Sequence, residues 1–380
     1  MSERDYIELI DAAPIPVTAG RRYRVPAMNT PDGRPHDLLL AVDGGNSKTD
    51  VRLVRPDGSE VRRAVGGPFR PQALGVPAAM AVLDALVEQV LGTDAGADAA
   101  ADADAPAADG SPAASPSASP AIGRVRTIGR VRTIGQVRGI AAFLAGADLP
   151  EEIATLQAQV EARGWADEVY VANDTFAVLY AGSARREGVA VVCGTGVNCV
   201  AVAADGRTAT FPGLGWASGD WGGGGDLGRA ALWWAVRAED GRGPATALTE
   251  AVTTHFGRPQ ALDVVLAIHR GEVSDRRLAE LAPAVFAAAD RGDEVAWLLI
   301  DLLGDELAAM ATSAARRAGL TEPEVLLGGS VAAAGHPRLL ARVQERAPGP
   351  VTIVTDPPVA GAVRYAVGRW GADAPVPTGA

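Results

Sequence analysis

Apolar runs along this chain alternate with polar turns that contain glycine. The first run, residues 38–42 (LLLAV), is continuous, which is typical of a strand buried on both faces of a sheet. A polar turn at residues 43–49 (DGGNSKT) follows, and then two strand-like segments joined by the hairpin signal Asp57-Gly58. Strand-like and helical segments alternate through the rest of the chain, and the predicted helices include one at about 226–239 and one at 275–291. This order predicts an α/β protein.

The second half of the chain repeats the pattern of the first. The apolar run at 189–193 ends in Gly194-Thr195-Gly196, and two strand-like segments joined by Asp205-Gly206 follow. One unit used twice predicts a structural duplication, with two α/β lobes of similar build. We expect an N-terminal lobe over 37–184 and a C-terminal lobe over 185–370, whose last helix can pack back on the first lobe.

Three segments stand apart from these lobes. Residues 1–36 are predicted to be an N-terminal extension, and residues 371–380 a tail. The insert at 92–135 begins with Ala/Asp-rich and Ser/Pro-rich sequence, which cannot bury a core and predicts disorder. It continues into a threefold repeat (IGRVRT, IGRVRT, IGQVRG), of which only one copy can be a true strand. We expect that strand where VRGIAAFLAGAD (137–148) leads into the fold.

Charge and cysteine content narrow the class of protein. The net charge of -11 argues against nucleic acid as a main partner, because phosphate backbones select basic surfaces. Cys193 and Cys199 cannot form a disulfide framework and are expected to be free thiols. No apolar run has the roughly 18 residues of a membrane span, and the N-terminus lacks the apolar core of a signal peptide. We therefore expect a cytoplasmic protein with neither a membrane nor a nucleic-acid partner.

Three glycine-containing turns at strand ends are candidates for binding ATP. Glycine lets the backbone N–H groups approach phosphate oxygens closely. The first turn and Gly194-Thr195-Gly196 occupy matching places in the two halves, so we expect them to face each other across a cleft, while Gly328-Gly329-Ser330 is expected to pack on adenine. Asp43 is expected to hold Mg²⁺ through water. The first turn contributes Asp43, Gly44, Gly45, Asn46, Lys48 and Thr49. Read singly, each turn is also compatible with an ordinary tight turn.

Two further segments suggest how an acceptor is bound and activated. Asp174 follows a predicted strand and precedes a helix, where it is either a general base for an acceptor hydroxyl or a helix N-cap. The glycine-rich run at 216–225 (WASGDWGGGG) either approaches a ligand closely or forms a mobile lid. In the first case Asp220 accepts hydrogen bonds from sugar hydroxyls, and Trp216 or Trp221 stacks on a sugar face.

Taken together, these motifs resemble the N-acetylglucosamine kinase group. That group belongs to the BadF/BadG/BcrA/BcrD ATPase family, within the superfamily of sugar kinases, actin and heat-shock chaperones. The similar stretches are LLLAVDGGNSKTDVRLVRPDG, the AGAD of 145–148, VANDTFAVLYAG, VAVVCGTGVNCVAV, GWASGDWGGGGDLGRAALWW and VLLGGSV. They cover residues 37–370 apart from the insert. The resemblance implies two ribonuclease-H-like lobes, each a mixed sheet with flanking helices, around a central cleft for ATP.

The resemblance implies an ATP- and Mg²⁺-dependent kinase that phosphorylates the 6-hydroxyl of N-acetylglucosamine or a related amino sugar. It implies that Asp174 is the base and that the acceptor contacts come from Asn173, Asn198, Gly215, Asp220 and Asp148. Some positions depart from the family pattern: GDWGG replaces GDEGS at 219–223, Ala145 replaces a serine, and 66–72 (GGPFRPQ), expected to reach the sugar, lacks an asparagine. Another hexose or a muramic-type sugar therefore stays open as the substrate.

Other functions also stay open at this point. The chain could be an ATPase-type sensor or activator that acts through a partner, or a sugar-binding regulator without catalysis. The activator branch of the family holds an iron–sulfur cluster with cysteines between subunits, whereas Cys193 and Cys199 fall within a strand–turn–strand. We favour the kinase, with a small-molecule sugar as substrate and a homodimer as a possible assembly.

Overall fold

A computed structural model describes residues 38–92 and 137–372 of the chain. The predicted N-terminal extension, nearly all of the predicted insert and the end of the predicted tail lie outside the described residues. The first sheet consists of β1 (Leu38–Gly44), β2 (Thr49–Val54), β3 (Glu60–Gly66), β4 (Val137–Leu144) and β5 (Glu168–Asn173). The second sheet consists of β6 (Gly188–Cys193), β7 (Val197–Val202), β8 (Thr208–Thr210), β9 (Val325–Gly328) and β10 (Val351–Ile353).

The two sheets have the same topology. The strand order is β3-β2-β1-β4-β5 in the first and, read from its other edge, β8-β7-β6-β9-β10 in the second. In each sheet the first three strands are antiparallel and the last two run parallel to the first. The predicted fold class, a duplicated mixed sheet with flanking helices, is confirmed. β4 begins at Val137, within the third copy of the repeat, where the true strand was predicted.

Helices cover both sheets. In the first half they are α1 (Pro71–Leu74), α2 (Val76–Leu91), α3 (Pro150–Glu161) and α4 (Thr175–Gly182). In the second half they are α5 (Gly223–Glu239), α6 (Leu248–Phe256), α7 (Ala261–His269), α8 (Ala282–Asp290), α9 (Glu294–Ala318), α10 (Ser330–Ala333), α11 (Pro337–Arg346) and α12 (Pro358–Trp370). Within these described ranges, no helix combines the length and apolar character needed to cross a membrane.

Two helix predictions need correction. The segment 275–291 was expected to be one helix, but it is a 3₁₀ helix (Asp275–Leu281) followed by α8. Pro283 sits in the first turn of α8, where its missing N–H is tolerated, but it cannot continue a preceding α-helix. Helix α5 was expected from residue 226 and begins at Gly223, because glycines of the run form its first turn.

A shared apolar core joins the two sheets. It contains Leu39 and Phe143 of the first sheet and Val200 and Leu326 of the second, all fully buried. Burial of such side chains contributes about 1.5–3 kcal/mol each, which makes this core a main source of the stability that positions the sheets.

The last helix belongs to this shared core. Trp370 of α12 packs its ring where Gly139 of β4 leaves space, and its indole N–H donates to Glu168 of β5 at 3.0 Å. The guanidinium of Arg138 donates to the Trp370 carbonyl at 2.9 Å. Helix α12 therefore packs against the first sheet although it follows the second sheet in the chain. The lobe boundaries proposed from the sequence stay a prediction.

Candidate active site

A cleft of about 360 Å³ lies at the strand ends where the turns of both sheets come together. It brings together twelve of the residues predicted from the sequence, namely Asp43, Gly45, Asn46, Lys48, Asp148, Asp174, Gly194, Thr195, Gly196, Asn198, Gly329 and Ser330. Their side chains and backbone come from both halves of the chain, as expected for two turns that face each other. The roles assigned to these residues stay predictions.

The first turn is closed by a hydrogen bond from the Gly45 N–H to the Lys48 carbonyl at 2.9 Å. The guanidinium of Arg70 donates to the Asn46 carbonyl at 2.6 Å, which places a second cation beside Lys48. Asp43, at the end of β1, is only 6% exposed. Burial, together with the nearby charge of Asp174, raises the pKa of Asp43 to about 8. A bound cation would favour its ionised form.

The glycine run packs against the second turn. The N–H groups of Gly224 and Gly225 donate to the carbonyls of Gly194 and Thr195, each at 2.8 Å. Gly223 has φ +73°, and a Cβ there would lie 2.7 Å from backbone atoms of Gly196. The glycines are therefore needed for close approach to the protein's own backbone. They support the turn that lines the cleft.

The third turn lies against the second. Gly329 has φ +86°, and a Cβ there would lie 2.8 Å from the Gly194 nitrogen. Ser330 begins helix α10 and lines the cleft beside it. Gly328 belongs to β9, faces Val178 of α4 and does not line the cleft. The two turns of the second sheet are thus packed backbone to backbone, which makes one continuous wall.

Asp148 is held by amides from both halves of the chain. The side-chain N–H₂ of Asn173 donates to its Oδ1 at 2.7 Å, and that of Asn198 donates to the same oxygen at 3.3 Å. The Asn173 amide oxygen accepts from the backbone N–H of Thr175 at 2.9 Å, and the Asn198 amide oxygen from that of Cys199 at 2.7 Å. Because both amide oxygens are occupied, the orientation of both N–H₂ groups is fixed.

The second oxygen of Asp148 is held more loosely. Its Oδ2 lies 3.4 Å from the Nε2 of Gln72, near the limit of a hydrogen bond. Burial is the main cause that raises the pKa of Asp148 to about 7, and the charge of Asp174 adds to it. This oxygen can therefore accept a hydrogen bond from a ligand hydroxyl in the cleft.

Asp174 lies at the N-terminus of α4 and is partly exposed in the cleft. Within the described part of the chain its side chain makes no capping hydrogen bond to this helix. Burial raises the pKa of Asp174 to about 6. A carboxylate with that pKa, close to the operating pH, suits a general base better than the usual surface aspartate does.

Asp220 lies beneath the cleft and does not line it. It is 5% exposed, and its carboxylate accepts a hydrogen bond from the Ser218 hydroxyl. Its charge also acts on Glu306 of α9, where burial first and Asp220 second raise the pKa of Glu306 to about 7. The Gly215 carbonyl accepts the Asp220 N–H at 3.1 Å, so Gly215 holds this turn.

The structure leaves several other predicted contacts outside the cleft. Thr49 is fully buried, and its hydroxyl donates to the Gly67 carbonyl at 2.8 Å, so it is not available to phosphate. Gly44 pairs with β4 and faces Leu144. Trp221 packs on the core of the second sheet. Trp216 is 88% exposed and is not among the residues that line the cleft.

The sequence reasoning missed several contributors to the site. Gly213 lines the cleft, and a Cβ there would lie 2.7 Å from the Asn198 Nδ2 and 3.0 Å from the Asp148 Oδ1. Pro358 lines the cleft from the start of α12. Glu306 lies in an amphipathic helix, where its sequence position carries no signal of function. The position of Gly213 just before the glycine-rich run was the signal that could have found it.

Comparison with known proteins defines the class. The BadF/BadG/BcrA/BcrD ATPase family matches residues 40–364, and the chain belongs to this family. It is 31% identical over 163 residues to an N-acetylmuramic acid/N-acetylglucosamine kinase of Clostridium acetobutylicum, covering 43% of this chain and about half (53%) of that relative. It is 22% identical over 302 residues to an N-acetyl-D-glucosamine kinase of Dictyostelium discoideum, covering 78% of this chain and 86% of that one.

Solved structures agree on the fold. A Chromobacterium violaceum protein, provisionally described as an N-acetylglucosamine kinase, superposes with a TM-score of 0.58 at 24% identity. The match covers 87% of this chain and 99% of that one. At this identity the comparison supports the architecture, and the residues of the cleft carry the argument about function.

Proposed function

We propose that the protein is an ATP-dependent sugar kinase that phosphorylates the 6-hydroxyl of N-acetylglucosamine or a related amino sugar. The observation that carries this proposal is the arrangement of one cleft. Phosphate-binding turns from both sheets meet Asp174, and Asp148 is held by Asn173 and Asn198 beside them. Family membership supports the use of ATP, and the names of the two relatives support an amino-sugar acceptor.

In this proposal the nucleotide lies along the turns and the sugar lies beside Asp148. Lys48 and the backbone N–H groups of the two turns stabilise charge on the phosphoryl oxygens. Asp148 and its two asparagines orient sugar hydroxyls. Asp174 takes the proton of the attacking hydroxyl as the γ-phosphoryl group transfers in line. Asp148 is the second candidate for that step, because its pKa is also raised, to about 7.

The residues present fit a magnesium ion bound mainly through the nucleotide. Among the described residues no group of three or more His, Cys, Asp or Glu is placed to hold a metal. Magnesium commonly takes one or two carboxylates together with substrate phosphates and water. The carboxylate of Asp43, which is buried and has no ion pair among the described residues, fits that role. When bound, magnesium supplies positive charge to the transferring phosphoryl group.

ATP consumption measured with a panel of sugars tests the proposal. We expect ADP release to rise sharply with N-acetylglucosamine and more weakly with glucose. ADP release that is independent of every sugar would favour the ATPase-type sensor and contradict the kinase. A homodimer and a cytoplasmic location remain predictions from the sequence.

A further inference from the structure

A second cavity, of about 230 Å³, adjoins the acceptor end of the cleft. Gly146 lines both cavities, so they share a wall. The side chain of Gln72 stands between them. Its Nε2 lies 3.4 Å from the Asp148 Oδ2 and 3.5 Å from the Glu152 Oε1. Both distances are at the long end for a hydrogen bond, so a ligand could displace this amide at little cost.

The adjoining cavity has an apolar wall and an acidic edge. Pro71, Val76 and Leu156 form the wall, and Glu151 and Glu152 form the edge. Neither Lys, Arg nor His is found among the described residues that line this cavity. An apolar group gains free energy when it leaves water for such a wall, whereas an anionic group there would meet two carboxylates without a compensating cation.

Glu152 is fixed in position. Its Oε2 accepts the backbone N–H groups of Asp148 at 3.1 Å and of Leu149 at 3.0 Å. These two bonds hold the Glu152 carboxylate at the edge of the cavity. Glu151, one residue earlier, is exposed at the rim of the same cavity.

We propose that this cavity extends the acceptor site, and that it takes an uncharged, mainly apolar substituent of the sugar that is larger than acetyl. Glu151 and Glu152 would exclude acceptors that carry a carboxylate at that position. The substrate class is then an N-acyl-hexosamine with a neutral acyl chain. This inference rests on the proposed function.

Filling the cavity tests the size preference. The probes are N-acetylglucosamine and N-butanoylglucosamine, compared by kcat/KM. In the Val76→Phe variant we expect the ratio of N-butanoyl to N-acetyl turnover to fall at least about tenfold relative to the unmodified protein. The matched control is Ala81→Phe, on the exposed face of the same helix, which should leave the ratio unchanged. An unchanged ratio in a folded Val76→Phe protein would overturn the size preference.

Reversing a charge tests the exclusion of carboxylates, and it does not depend on repacking a buried wall. We expect Glu151→Lys to raise kcat/KM for N-succinylglucosamine, whose acyl chain ends in a carboxylate, relative to N-acetylglucosamine, by about fivefold. Glu161→Lys, at the exposed far end of the same helix, is the control and should not change that ratio. If Val76→Phe and Glu151→Lys both turn over N-acetylglucosamine but leave their substrate ratios unchanged, this inference is overturned and the proposed function stands. Absence of turnover with every sugar would overturn the proposed function as well.

Discussion

Asn198 of the second sheet donates a hydrogen bond to Asp148 at the end of the first sheet, with 3.3 Å between Nδ2 and Oδ1. Asn173 of the first sheet donates to the same oxygen at 2.7 Å. One carboxylate is therefore positioned by amides from both halves of the duplicated fold. A sugar that binds to Asp148 would contact both halves of the chain at once, beside the turns proposed for ATP.

Asp174 and Asp148 should show different roles when each is replaced by its amide. We expect Asp174→Asn to lower kcat by about 10²–10⁴-fold with sugar binding retained, because an amide cannot accept the hydroxyl proton. We expect Asp148→Asn to weaken sugar binding instead, because it disturbs the two asparagine contacts. Calorimetric binding of N-acetylglucosamine and coupled ADP release measure these two quantities separately. Near-normal turnover by Asp174→Asn would assign the base to Asp148.

The pH dependence of kcat/KM should follow deprotonation of the base. The pKa is raised to about 6 for Asp174 and to about 7 for Asp148. A base works only when ionised, so activity should rise with pH through this interval and fall about tenfold per pH unit below it. Steady-state rates between about pH 5 and pH 8 test this. A flat profile over that range would contradict a carboxylate base with a raised pKa.

In the absence of a ligand, Asp43 should lower the free energy of unfolding near pH 8. Its pKa of about 8 in the folded chain lies above the ordinary value of 3.8, so the folded state favours the protonated form. The contribution of this group to stability is therefore present at low pH and is lost as pH rises toward 8. We expect Asp43→Asn to raise the free energy of unfolding at about pH 8 by about 1 kcal/mol and to abolish phosphoryl transfer.

Urea unfolding at two pH values measures this effect, with Asp50→Asn as the control. Asp50 is also buried, but it accepts from the Arg63 guanidinium at 3.0 Å (Oδ1) and at 2.5 Å (Oδ2). Its replacement leaves a cation unpaired and should lower the free energy of unfolding by about 1–3 kcal/mol. Equal destabilisation by both substitutions would show that Asp43 is paired in solution.

Gly223 should be needed for ATP binding because it supports the second turn. In Gly223→Ala, the new Cβ would lie 2.7 Å from the Gly196 backbone and push the turn out of place. We expect the KM for ATP to rise at least about tenfold. Gly241 has a similar φ of +79°, but a Cβ there meets nothing within 4 Å, so Gly241→Ala carries the backbone strain without the contact. An equal KM for ATP in Gly223→Ala and Gly241→Ala would show that the glycine run does not support nucleotide binding.

Much of the fold could be predicted from the sequence because short apolar strands are separated by recognisable polar turns. Continuous apolar runs such as 189–193 identified the buried strands, and Asp57-Gly58 marked a hairpin. The recurrence of this unit correctly predicted the duplication. The break between the 3₁₀ helix and α8 at Pro283 was not predicted. The effect of a proline depends on the residue at which the helix begins, which composition does not specify.

The site was less predictable because its contacts are long-range. The sequence placed Asp148 and Asn198 in separate motifs, and only folding brings an amide of β7 to that carboxylate. The glycine run was read as a ligand contact or a lid, whereas the structure packs Gly223 on Gly196. Glycine signals close approach without identifying what is approached.

The identity of the phosphorylated product tests the central claim most directly. The protein, ATP, magnesium and N-acetylglucosamine are incubated together, and the phosphorus is followed by ³¹P NMR. We predict a new phosphomonoester signal coupled to the two protons on carbon 6 of the sugar, appearing together with ADP. Appearance of ADP and inorganic phosphate alone, with no sugar phosphate, would contradict the account.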